Sequence, residues 1–325
     1  MESFIFAINA VLPIVIMVAV GYIIKRLGLI DENIAKGVNK IVFRLLLPCT
    51  LFLNVYSIND ASDISPGYIL FSVIASIAVF VITILCSGLI TKKRDEVAVI
   101  VQASFRSNYA LIGIPLATSL FGSEGSMIAT VLSAFSIPIF NILAVICLTM
   151  FGGQGKPDVK KIFLGIAKNP LILSILLGFV CVGVRALFTV SGVEWRLTDL
   201  TPLYSAMSQL SKASTPVALL ALGAQFEFSA VSAMKKQIII GTAIRTVIVP
   251  LAALTAAYFM GCFSGAHFAA FVALFATPVA VSSVPMTQEM GGNTTLAGQL
   301  VVWTTLVSAF TIFLFSFALK ELGIF

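Results

Sequence analysis

Ten apolar runs, each about as long as a membrane-crossing helix, constrain this chain more than any other feature. They cover roughly 4 to 25, 36 to 56, 68 to 91, 96 to 121, 126 to 150, 161 to 187, 203 to 225, 236 to 260, 265 to 288 and 295 to 319. About 20 apolar residues in α-helical form span a bilayer core. A backbone in hydrocarbon has no water to bond, so its N–H and C=O groups must find partners within the protein. Only 10% of the residues are charged and the mean hydropathy is +1.08, far too little polar surface for a soluble enzyme. The expectation is an all-α integral membrane protein with short connections and no soluble domain. The apolar run after Met1-Glu2-Ser3-Phe4 continues at full spanning length, so it reads as a retained first helix and not as a secretory signal.

The net charge of +6 is not a nucleic-acid signature, because the basic residues sit in small clusters at helix ends. Lys25 and Arg26, Lys92 to Arg94, Lys156 with Lys160 and Lys161, and Lys235 with Lys236 occupy alternate loops, while Asp60, Asp63, Glu124, Glu194 and Asp199 lie in the opposing ones. By the positive-inside rule the basic loops are cytoplasmic and both termini face outward. Cys49, Cys86, Cys147, Cys181 and Cys262 show no metal or redox spacing and read as small buried hydrophobes.

Two of the runs are interrupted. Ser107-Asn108-Tyr109-Ala110-Leu111-Ile112-Gly113-Ile114-Pro115 has its counterpart 170 positions on, in Thr277-Pro278-Val279-Ala280-Val281-Ser282-Ser283-Val284-Pro285. Prolines remove backbone donors and crowd the preceding turn, so each segment is expected to break near mid-membrane. Interrupted segments at matching places in two halves mark the central site of a secondary transporter. A similar offset relates Arg44 and Pro48 to Lys212 and Pro216. Residues 1–151 then form a first five-helix repeat, 152–160 a cytoplasmic linker and 161–325 a second repeat. Five helices per half is an odd number, so the second repeat must be inverted.

The run from Ser107 to Leu116, closed by Phe121-Gly122, resembles the fourth-helix signature of the auxin efflux carrier family of transporters. Asn39 followed by Pro48, and Thr277-Pro278 followed by Gln288-Glu289-Met290-Gly291, also look like family features, and the resemblance covers essentially the whole chain. It implies ten transmembrane helices in two inverted five-helix repeats, with broken helices 4 and 9 crossing at their unwound centres, the fold of bile-acid sodium symporters. The family includes plant auxin exporters and bacterial permeases for malonate or related carboxylates. Without a long hydrophilic middle loop, this chain resembles the compact bacterial type. By resemblance, Asn108 matches the crossover asparagine that lines the substrate site, while helix 9 offers no asparagine at the equivalent place.

The chemistry of a helix break points the same way. A resuming half presents unpaired N–H groups and the positive end of its dipole, which suits a carboxylate; a half that ends presents carbonyls, which suit a cation. The candidate substrate-binding residues are Arg106, Asn108, Gly113, Pro115, Thr277, Pro278, Ser282, Ser283 and Pro285, with Asn39, Arg44, Pro48, Lys212 and Pro216 in support. Bland readings stand beside these: Asn108, Thr277 and the serines can serve only to satisfy freed backbone groups, and Arg106, Arg44 and Lys212 can snorkel to the membrane edge. Arg245 pairs with Glu227 or with nothing. No acid lies between Glu96 and Glu124 or between Glu227 and Glu289, which argues against proton coupling through a crossover carboxylate. His267 reads as interfacial, with proton relay as the lesser alternative.

No phosphate-binding loop, HExxH or Cys/His cluster occurs, so the reading assigns no enzyme activity, cofactor or metal. The expected function is secondary active transport, by alternating access, of a small organic anion: an auxin-like carboxylate or a dicarboxylate such as malonate. An anion channel and a membrane-embedded ligand receptor are the alternatives. Partners are the anion, the cytoplasmic-membrane bilayer and a coupling ion, H⁺ or Na⁺, that the sequence does not identify. A homodimer is open, and nucleic acid is excluded.

Overall fold

The computed structural model describes residues 2–57, 66–152, 164, 166–192 and 196–324, with side chains from residue 12 onward. The linker placed at 152–160 lies outside these residues, Gly152 excepted. The described elements are helical: α1 (Glu2–Arg26), α2 (Glu32–Ile41) running through a π turn (Val42–Leu46) into α3 (Leu47–Tyr56), α4 (Pro66–Ile90), α5 (Arg94–Phe105), a π turn (Tyr109–Gly113) leading into α6 (Ile114–Phe151), α7 (Pro170–Val190), a 3₁₀ turn (Leu197–Asp199), α8 (Thr201–Gln225), α9 (Ser229–Ala233), α10 (Lys235–Ala243) running through a π turn (Ile244–Ile248) into α11 (Val249–Met260), α12 (Gly265–Phe275), α13 (Ser283–Glu289) and α14 (Thr294–Glu321). Polar residues between the apolar runs set several starts. The side-chain oxygens of Asp31, Asn169 and Asn293 accept the N–H groups of Ile34, Leu171 and Leu296 at 2.7, 2.9 and 2.9 Å, each satisfying an orphan donor of the first turn.

Six stretches among the described residues are long and apolar enough to cross a membrane: Glu32–Tyr56, Pro66–Ile90, Tyr109–Phe151, Pro170–Val190, Lys235–Met260 and Thr294–Glu321. Their outward faces carry Leu85, Leu89, Leu187 and Leu314 in exposed positions, a surface matched by lipid tails and not by water. Interruptions account for much of the difference from the ten runs counted in the sequence. The pieces Arg94–Phe105 and Gly265–Phe275 are too short to cross alone, whereas Tyr109–Phe151 joins two runs in 43 residues. Such a helix would be roughly 65 Å long, about twice the hydrocarbon thickness. It is divided at Phe121-Gly122, where Gly122 takes φ 56° and ψ −139°, a conformation open to glycine at little cost. Of the five cysteines, Cys147 is buried and Cys86 and Cys262 are exposed, so the buried reading fails for those two.

Each of the three π turns ends two residues before a proline: Pro48, Pro115 and Pro250. Proline lacks the N–H that would bond the carbonyl four residues back, and its ring crowds that carbonyl. Widening the preceding turn relieves the conflict without ending the helix. The first break therefore falls upstream of where Pro115 suggests. Helix stops at Phe105, residues 106–108 are non-helical, and helical geometry resumes at Tyr109, six residues before Pro115. In the second segment helix stops at Phe275 and resumes at Ser283, with Pro285 already in the first turn of α13.

The two breaks lie against each other. Ser107 and Val279 form an isolated antiparallel bridge; the Asn108 N–H donates to the Pro278 carbonyl at 2.9 Å and the Ala280 N–H to the Arg106 carbonyl at 3.2 Å. This crossing is among the most enclosed parts of the molecule, with every residue from 96 to 109 and from 268 to 281 buried. Elsewhere α1 and α8 approach at backbone distance. A Cβ on Gly21 would lie 2.3 Å from the Leu220 carbonyl oxygen, and one on Gly223 2.0 Å from that of Val18.

Candidate functional site

Where α5 and α12 end, their last carbonyls lose their helical partners. Arg245, fully buried in the π turn between α10 and α11, supplies donors to both: Nη1 to the Ser104 carbonyl at 3.2 Å, Nη2 to that of Leu274 at 3.0 Å, and Nε to that of Thr277 at 2.8 Å. Of the two alternatives left open by the sequence, Glu227 or nothing, neither describes Arg245, whose partners among the described residues are three backbone carbonyls. A helix C-terminus carries about half a negative elementary charge, so two of them offset one guanidinium.

The other buried arginine has a different setting. Arg106 is 2% exposed, and its guanidinium donates to Gln102 Oε1 at 2.9 Å, Asn141 Oδ1 at 2.8 Å and Ser282 Oγ at 2.8 Å. Two of these acceptors are held in turn: Asn141 Nδ2 donates to the Ile137 carbonyl and Gln102 Nε2 to Thr287 Oγ1. All three are neutral, and among the described residues Arg106 forms no ion pair. The side chain thus stays at the crossing and does not snorkel to the membrane edge. Beside it, Asn108 is 8% exposed and its Nδ2 has no hydrogen-bond partner. A buried donor left unpaired costs on the order of 1–3 kcal/mol, which an acceptor brought by a ligand would recover.

Arg106, Asn108 and Ser282 line one cavity of about 100 Å³, in which Arg106 is the only charged residue among the described residues. Its wall also includes polar side chains such as Thr50, Asn54, Tyr109 and Asn141 and apolar ones such as Leu47, Leu111, Ile137 and Phe140. Thr277 and Pro278 stand behind this wall: Ser107 Oγ and Thr277 Oγ1 are 2.7 Å apart, and Thr277 Oγ1 also donates to the Ala273 carbonyl. Free backbone donors at the second break do not materialise as expected, because the Ser283 and Val284 N–H groups bond the carbonyls of Ala280 and Val281.

Gly113, Pro115, Ser283 and Pro285 lie in resumed helix and do not line the cavity. Gly113 packs under Tyr109, where an added Cβ would come within 2.6 Å of the ring. Pro48 and Pro216 are also outside the lining but sit beside contributors to it, Leu47 and Thr215. Lys212 is exposed. Asn39 and Arg44 belong to a different cluster. Asn39 Nδ2 donates to Gln288 Oε1 at 2.9 Å and to Gln225 Oε1 at 3.2 Å, and Arg44 pairs with Glu289 at 3.3 Å. These contacts tie α2 and its π turn to α13 and the end of α8. His267 sits in the first turn of α12, its Nδ1 accepting from the Ser264 N–H at 3.1 Å. Asn141 and Gln102 were missed as arginine partners; the only sequence signal was an amide within an apolar run, alone in its run for Asn141 and shared with Asn108 for Gln102.

The chain matches a model of the family described as membrane transport protein over residues 6–316. A transporter of Methanothermobacter thermautotrophicus, named as uncharacterized, is 24% identical over 320 residues, 96% of this chain and 98% of the relative. A second uncharacterized transporter, from Methanocaldococcus jannaschii, is 28% identical over 222 residues, 66% of this chain and 67% of its own.

Proposed function

The chain belongs to the membrane transport protein family, the auxin efflux carrier group, and from that premise we propose a secondary transporter that moves a small organic anion by alternating access across the cytoplasmic membrane. In this reading the helices make ten crossings in two inverted five-helix repeats, with both termini outside. One observation carries the substrate assignment. Arg106 is a buried guanidinium that faces a cavity, has only neutral partners among the described residues, and adjoins the unpaired Nδ2 of Asn108. The negative ends of α5 and α12 are already met by Arg245, so they do not cancel the charge of Arg106. An anion does.

The charge count favours one carboxylate. A second anionic group in the cavity would meet only neutral donors and apolar side chains, and an uncompensated buried charge costs several kcal/mol. The volume favours a short body, since a cavity of roughly 150 Å³ accommodates benzene and this one is smaller. In this reading the contacts of Asn39 with Gln288 and of Arg44 with Glu289 lie on the cytoplasmic side of the crossing.

The test uses purified protein in liposomes preloaded with unlabelled short monocarboxylate. Uptake of the labelled compound should saturate and show counterflow, as a carrier requires. Flux without saturation or counterflow would indicate a channel. Binding detected as a thermal shift without any flux would indicate a receptor.

A further inference from the structure

A cation is expected wherever two helix C-termini meet in a membrane, because carbonyls in hydrocarbon need donors and their dipoles need a counter-charge. In this chain those carbonyls belong to Ser104, Leu274 and Thr277, and Arg245 donates to all of them. We propose that Arg245 is a built-in cation: it fills the place between the ends of the two broken helices where a soluble ion would otherwise bind, and it positions the crossing that carries the anion site.

Three features support this. Arg245 is fully buried, so its placement is not a surface accident. Its donors reach α5, α12 and the second break from a fourth element, the π turn before Pro250, whose widened geometry presents the side chain. The planar guanidinium offers several donors in a fixed fork and remains charged inside a protein. A compact ammonium in its place would keep the charge but lose the fork. Two consequences follow. No soluble cation is needed at this place for the crossing to hold together, and deletion of the side chain should create a cation site.

Purified Arg245→Ala should unfold at a lower temperature than wild type, and millimolar guanidinium chloride should restore part of the loss. Choline chloride at equal ionic strength should not, and wild type should gain nothing from guanidinium. Arg245→Lys should fall between the two. Arg245→Ala that melts with wild type, or that responds no better to guanidinium than to choline, overturns the proposal. These measurements need no substrate, so they stand apart from the proposed function.

A second arm rests on the transport reading and covers the case in which Arg245→Ala does not fold. Carboxylate affinity of wild type and of Arg245→Lys should be unchanged when choline replaces sodium. A tenfold or greater dependence on sodium in wild type would show that a soluble cation is still required, and it would overturn the built-in role while leaving anion binding intact.

Discussion

At the scale of single residues, two buried arginines serve one crossing and their partners divide the work. Arg245 meets backbone carbonyls and its charge is matched by helix ends, whereas Arg106 meets side-chain amides and a hydroxyl and keeps a charge to offer. In the sequence Arg106 was a candidate substrate ligand and Arg245 had no assigned role, although both stand in apolar runs. What separates them is a set of contacts made at long range, Asn141 lying 35 residues from Arg106 and Leu274 lying 29 from Arg245. Pattern reading cannot supply those. Asn108 was legible because it stands at the break and carries the only amide in either broken stretch. Arg106→Lys keeps a charge but cannot present a planar fork to Gln102, Asn141 and Ser282 together. It should weaken carboxylate binding by about tenfold or more, with Arg106→Gln weaker still. Titration of both variants checks this, and wild-type affinity in either one would remove Arg106 from the site. Among ligands of equal chain length, a monocarboxylate should bind wild type more tightly than a dicarboxylate; the reverse order in the same titrations would contradict the single-charge argument.

At the scale of elements, the prolines marked the disturbed helices correctly and their breaks only approximately. Pro48, Pro115 and Pro250 widen the turn before them, but the non-helical residues of the first break end at Asn108, well before Pro115. The reason is energetic. A π turn keeps most backbone groups paired at the proline, while a full break inside a membrane needs outside partners. Residues 106–108 and 276–282 find such partners in each other and in Arg245. Helix packing was less legible. Nothing in the apolar pattern identifies Gly21 and Gly223 as the contact that brings α1 and α8 to backbone distance. Small residues at such contacts allow the close packing on which helix association in membranes depends. Gly223→Ala should therefore force the two helices apart and destabilise the protein by about 1–3 kcal/mol, read as a lower unfolding temperature. An unchanged unfolding temperature would mean that this contact yields without cost.

For the whole molecule, composition alone identified a membrane protein, and the family match over residues 6–316 agrees. Orientation rests on the basic loops. With the native cysteines replaced, a cysteine introduced at the exposed Lys92 should react with an impermeant maleimide only after the cells are opened; labelling in intact cells would reverse the assignment of sides. The central claim is that the crossing holds the transported anion, and it is tested most directly by titrating wild type and Asn108→Ala with the same short monocarboxylate, each preparation also being checked for its unfolding temperature. Loss of one hydrogen bond to a charged ligand costs about 1.5–3 kcal/mol, roughly tenfold to more than a hundredfold in affinity. The account predicts a loss of that size in a variant that remains folded. An Asn108→Ala protein that folds normally and binds the carboxylate with wild-type affinity would contradict it.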